Sequence, residues 1–112
     1  MDPVSLSGRE AVEVVDGVTL AQLAAGDRMS VQHFEIEPWG RVPEHSHRHE
    51  QAGFVYAGRL RFVVDGDPVA VGPGDSYAIP GETPHAAENR GEETVRGVDV
   101  FSPPRPDPDW LD

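Results

Sequence analysis

The chain has 112 residues and a formal net charge of −11, from nine Arg, no Lys, ten Asp and ten Glu. That length supports one domain with a modest core; the acidic balance repels nucleic-acid backbones, and no apolar run approaches the roughly 20 residues of a membrane span. The absence of Cys excludes a disulfide framework, a thiolate zinc site and a cysteine nucleophile, and Met1-Asp2-Pro3-Val4 does not open a signal segment. The expectation is a cytoplasmic protein with neither nucleic acid nor membrane as a partner.

Taken in order, residues 1–27 read as an N-terminal edge segment, in which residues 12–20 are suited to cover a sheet edge, from a neighbouring subunit of a homodimer. Residues 19–25 are a helix candidate that Gly26 would end. Residues 28–101 carry short segments of two-residue alternation, beginning with R-M-S-V-Q-H-F-E-I-E over 28–37. The others are 53–57, 60–64, 68–71, 76–79 and 94–101, and Gly/Pro turns separate them. Such spacing predicts an all-β sandwich or barrel. Asp65-Gly66 between β-branched runs predicts a hairpin that pairs 62–64 with 69–71. Residues 102–112, S-P-P-R-P-D-P-D-W-L-D, form a Pro-rich arm whose alternating prolines exclude a central strand. Its Trp110 is expected to pack on the barrel or on a partner subunit.

The chemistry concentrates at Glu44-His45-Ser46-His47-Arg48-His49-Glu50-Gln51. On a strand, residues i and i+2 share a face, so His45 and His47 can direct two imidazoles to one point. Gln51 returns to that face, and His85, after the Pro80-Gly81-Glu82-Thr83-Pro84 turn, can supply a further ligand. Three imidazoles and an amide oxygen suit one divalent transition metal, Zn, Ni, Fe or Mn. An exposed His-rich loop that binds metal adventitiously is the bland alternative. His49 has the parity to compete as a ligand and is expected to turn to the rim; His33 reads as a hydrogen-bonded histidine of the pocket or core.

Two segments then become specific. Gly40, His45, His47, Gln51 and Gly58 resemble the first motif of the cupins, G-x5-H-x-H-x3,4-E-x6-G, with Gln51 in the place of Glu and Gly40 one residue closer to His45. Gly74, Pro80, His85 and Asn89 resemble the second, G-x5-P-x-G-x2-H-x3-N, with Glu82 at the inner Gly position. Fifteen residues separate Gly58 from Gly74. The resemblance implies a single-domain cupin, a double-stranded β-helix or jelly-roll barrel, with a metal held by His45, His47, Gln51 and His85.

Three stretches, 42–51, 74–80 and 99–105, further resemble the small KdgF-like cupins of pectin and alginate breakdown. That family opens 4,5-unsaturated monouronates to linear keto forms and uses a His, His, Gln, His metal set, so Gln51 fits it. Its Asp, Phe and Arg fall on Asp99, Phe101 and Arg105. Asp99 can serve as general acid or base or orient a ligand histidine. Phe101 can wall the sugar ring with Gly97 leaving space beside it, and Arg105 can hold a substrate carboxylate with a two-pronged hydrogen bond. Tyr77 and Gln32 are further candidates for the pocket wall. The leading expectation is thus metal-dependent, non-redox ketonisation of a small-molecule sugar acid. An iron-dependent oxygen-using enzyme and a non-catalytic small-molecule-binding module are the alternatives, since one fold hosts all three. The Lys-free, acidic composition fits either a GC-rich genome or adaptation to high salt.

Overall fold

The computed structural model describes residues 1–106. A short 3-10 turn, Leu6–Gly8, precedes ten strands: β1 (Val12–Val15), β2 (Val18–Ala25), β3 (Ser30–Ile36), β4 (Arg41–His45), β5 (Glu50–Ala57), β6 (Leu60–Val64), β7 (Asp67–Val71), β8 (Ser76–Ile79), β9 (His85–Glu88) and β10 (Val95–Ser102). They form two antiparallel sheets, one of six strands in the order β1-β2-β3-β10-β5-β8 and one of four in the order β4-β9-β6-β7. This is the all-β jelly-roll architecture that the alternating segments predicted. Among the described residues no helix is long and apolar enough to cross a membrane.

Alternation decides which side chains face inward. On β10, Val95, Gly97, Asp99 and Phe101 are buried while Arg96 and Ser102 are exposed. On β3, Ser30, Gln32, Phe34 and Ile36 face the same interior. The core between the sheets is built from Val18, Leu20, Phe34, Ile36, Val55, Leu60, Phe62 and Val95, with Val71 and Ile79 completing it. Several of these core side chains line one cavity together with the polar Gln51 of β5 and Asp99 of β10.

One expectation is corrected. Residues 19–25, read as a helix, are strand: Leu20 pairs with Phe34 and Gln22 with Gln32 in the β2–β3 ladder. The helix-forming Leu and Ala content is overridden because alternation buries Val18 and Leu20 in the core. Within this chain β2 lies against the edge of β3, with β1 outside it.

The predicted hairpin forms. Asp65 (φ 50°) and Gly66 (φ 86°) both take left-handed conformations, the requirement of a two-residue type I′ turn, and Phe62 pairs with Val69. Asn89, the last residue of the second motif, is fully buried. Its Nδ2 donates to the carbonyls of Ile36 and Glu93, each at 2.8 Å, and its Oδ1 accepts from Gly91 N at 2.9 Å. Its backbone pairs with Gly40 and Trp39, so Asn89 stitches the end of β9 to the β3–β4 turn and joins the two motifs. The arm after β10 folds back on the barrel: Ser102 Oγ donates to Arg28 O at 2.7 Å and Arg105 N to Ser30 Oγ at 2.9 Å. Trp110 lies outside the described residues.

Candidate metal centre

His45 ends β4 and His85 begins β9, and the two are cross-strand partners. His47 stands in the bend between β4 and β5, so the His-x-His pair meets because the chain turns, not because both lie on one strand. The ring centroids of His45 and His85 are 4.3 Å apart, those of His47 and His85 5.0 Å, and those of His45 and His47 5.4 Å. One ring nitrogen from each lies within 4.8 Å of the others.

The backbone sets their tautomers. His45 Nδ1 lies 2.9 Å from Pro43 O, His47 Nδ1 3.1 Å from His49 O, and His85 Nδ1 2.8 Å from Thr83 O. A carbonyl only accepts, so each Nδ1 carries the proton and each Nε2 presents its lone pair. The Nε2 atoms of His47 and His85, together with Gln51 Oε1, are buried with no hydrogen-bond partner. Buried polar atoms are ordinarily satisfied, and these are the donor types that a divalent transition metal takes. Burial lowers the pKa of His45 to about 4 and that of His47 to about 4, with the Arg105 cation adding to both. It lowers that of His85 in the same sense. All three imidazoles are therefore neutral at pH 7, as a ligand must be. The donor set fits a metal.

The turn that carries His85 also braces the turn that carries His47. Glu82 N donates to His47 O at 2.7 Å, and Gly81 packs so closely that a β-carbon there would approach Arg48 O to 2.5 Å. Glu82, standing where the motif has Gly, takes φ 66°; the turn keeps the left-handed conformation without the glycine.

Asp99 and Arg105 line the same cavity as His45, His85 and Gln51. Asp99 is buried, and burial pushes its pKa up to about 6 against the opposing hydrogen bonds from Tyr77 and Gln51 and the charge of Arg105. Arg105 is 3% exposed, with its guanidinium carbon 5.1 Å from the centre of the Phe101 ring. Phe101 in turn lies edge-on to His47, at 5.9 Å.

Two smaller expectations change. His49 is buried between His47 and Phe101, not at the rim. Gly97 leaves no room for a ligand: the Phe34 ring fills the space, 2.5 Å from where a β-carbon would sit. His33 is the buried, hydrogen-bonded histidine that was expected, its Nε2 2.6 Å from Tyr56 Oη, on the side of β3 away from the cavity. Tyr77, offered by the sequence only as a wall, donates from Oη to Asp99 Oδ1 at 2.5 Å. Gln32, the other wall candidate, accepts from Gln22 Nε2 at 2.8 Å. Both contacts depend on strand register, which no single segment reveals.

A family model described as the cupin domain matches residues 32–101. The chain belongs to the cupin family. Among solved structures, it is similar to KdgF from Halomonas sp., with a TM-score of 0.85 and 21% identity, over 95% of this chain and 96% of that one. It is similar as well to the polyketide cyclase RemF from Streptomyces resistomycificus, with a TM-score of 0.82 and 28% identity, over 96% of this cupin and 82% of that chain. A Bacillus subtilis protein named H2HPP isomerase is 35% identical over 66 residues, which are 59% of this chain; the cupin spans only 28% of that relative's length.

Proposed function

We propose that this cupin is a metal-dependent, non-redox isomerase that opens and ketonises 4,5-unsaturated monouronates or a closely similar acid. The observation that carries the proposal is the enclosure of one carboxyl, Asp99, and one guanidinium, Arg105, in a cavity lined also by His45 and His85, two of the three neutral imidazoles whose ring nitrogens converge. Such a reaction moves protons and no electrons: the 1-hydroxyl loses its proton, the C1–O5 bond breaks, and C4 gains a proton as the enol becomes a ketone.

His45, His47, His85 and Gln51 would hold the metal, which supplies stabilisation of oxyanion charge when bound. Asp99 holds or releases the proton; a carboxyl with a pKa of about 6 is poised for both near neutrality. Arg105 holds the substrate carboxylate through its planar fork, and its position over Phe101 fixes the direction of that fork. Phe101 offers the apolar wall. The anion is drawn to a site with local positive charge despite the acidic surface.

A second reading is favoured by the rest of the lining. Leu20, Phe34, Val42 and Phe62 reach the same cavity, and apolar walls suit a flat, weakly hydroxylated keto acid better than a polyhydroxy one. The test is direct. Metal-loaded and metal-stripped protein are each given unsaturated galacturonate or mannuronate monomers and, separately, an enolisable aryl keto acid, and the products are followed by NMR. Faster conversion of the uronates, only with metal, supports the first reading; conversion of the keto acid alone supports the second.

A further inference from the structure

One row of side chains crosses the inner face of the six-stranded sheet. Gln22 pairs with Gln32, Gln32 with Asp99, Asp99 with Gly53 and Gly53 with Tyr77, on β2, β3, β10, β5 and β8 in turn. Tyr77 and Asp99 are thus two strands apart, with β5 between them. They meet because the residue between them has no side chain. A β-carbon at Gly53 would overlap Tyr77 Cζ and Oη and Asp99 Oδ1. Through that gap the phenol lies across β5, its ring packed on Phe62 at 4.7 Å, and its hydroxyl donates to Asp99 Oδ1 at 2.5 Å. An O–H···O bond this short is in the range of strong, charge-assisted bonds.

We infer that Tyr77 is the positioning residue for Asp99 and that Gly53 is the slot that admits it. The inference rests on the proposed proton transfer by Asp99. Tyr77 occupies one carboxyl oxygen and, through a rigid ring, fixes the plane of the group; Gln51 also donates to Asp99, which couples the same carboxyl to the histidine cluster. A carboxylate held from two sides presents one edge to the cavity in one orientation. Proton transfer is sensitive to that orientation, because reacting atoms must lie within hydrogen-bond reach of each other.

Tyr77→Phe removes one oxygen and keeps the ring against Phe62; Gly53→Ala keeps the hydroxyl but closes the slot. Crystal structures of both variants, together with steady-state kinetics of the metal-loaded enzymes, test the inference. In Tyr77→Phe the Asp99 carboxyl turns away from the orientation it holds in the parent, kcat falls by about 10–100-fold, the usual cost of losing a supporting hydrogen bond at such a site, and KM stays within about twofold, since substrate binding is not what Tyr77 serves. Gly53→Ala displaces the phenol and lowers kcat likewise. An Asp99 carboxyl unmoved in Tyr77→Phe overturns the inference, as does an unchanged kcat. A parent enzyme inactive on every acid tested defeats the proposed reaction instead, and the orientation of Asp99 in the variant structure still decides the role of Tyr77.

Discussion

At the scale of single residues, three backbone carbonyls do much of the work of making a metal site. Those of Pro43, His49 and Thr83 each accept a hydrogen bond from an Nδ1–H, which leaves the Nε2 lone pairs to face one another. Replacing His45, His47 or His85 by Ala should therefore lower metal affinity by more than the roughly 10–100-fold that loss of a supporting hydrogen bond costs. Titration calorimetry with Zn or Ni checks this, and unchanged affinity in any one variant removes that residue from the site. The same histidines set a pH dependence. Their folded pKa values lie below the ordinary 6.5, at about 4 for His45 and His47, so the unfolded chain takes up protons first as pH falls. Their stabilising contribution is complete above about pH 6.5 and is lost as pH falls from there toward 4. Asp99, raised to about 6, works in the opposite sense, since its neutral form suits the folded state. Three lowered histidines outweigh one raised carboxyl, so thermal melts of metal-stripped protein should show Tm falling between pH 7 and pH 5. A flat profile would contradict the burial of these imidazoles.

Among the elements, the two motifs act as mutual braces. Glu82 in the left-handed region costs about 1 kcal/mol relative to Gly, and the turn tolerates that because its N–H is bonded to His47 O. Glu82→Gly should stabilise the fold by about 1 kcal/mol in a denaturant titration with metal affinity unchanged. Asn89→Ala should cost about 2–3 kcal/mol in the same experiment, since the carbonyls and the N–H that its buried amide serves lose their partners. Much of this was legible in the sequence. The hairpin at Asp65-Gly66, most strands of the barrel and the four metal-site candidates were readable because alternation, turn chemistry and ligand spacing are local signals. What was not legible depended on register between distant strands. The β2 segment carries helix-forming residues and becomes a strand only because β3 lies beside it. Gly97 reads as open space until the Phe34 ring is placed against it, and Tyr77 reaches Asp99 only because Gly53 happens to stand between them.

Over the whole molecule, charge is the dominant feature. Twenty carboxylates face nine Arg, one of which, Arg105, is buried in the cavity. Among the described residues two ion pairs form, Arg90–Glu88 and Arg96–Glu35. Both are partly solvated, and such pairs contribute little. The folded state must therefore tolerate net self-repulsion, which salt screens. Raising NaCl from about 0.05 M, where the Debye length exceeds 10 Å, to 1 M, where it is about 3 Å, should raise Tm; a gain of about 1 kcal/mol would read as about 4–8 °C. A Tm that is constant or falls with salt would show that the acidic surface is not a destabilising load. The apolar core and the polar site share one interior: Leu20, Phe34 and Phe62 line the same cavity as His45, His85, Asp99 and Arg105, and charges and lone pairs act more strongly there than in water.

The most direct test of the proposed chemistry is conversion of a 4,5-unsaturated monouronate, followed by NMR, with metal-loaded protein, metal-stripped protein and metal-loaded Asp99→Asn side by side. Metal-dependent acceleration that falls by at least about 100-fold in Asp99→Asn, while calorimetry shows the metal still bound, is the expected result. Equal rates with and without metal, or full activity in Asp99→Asn, would contradict it.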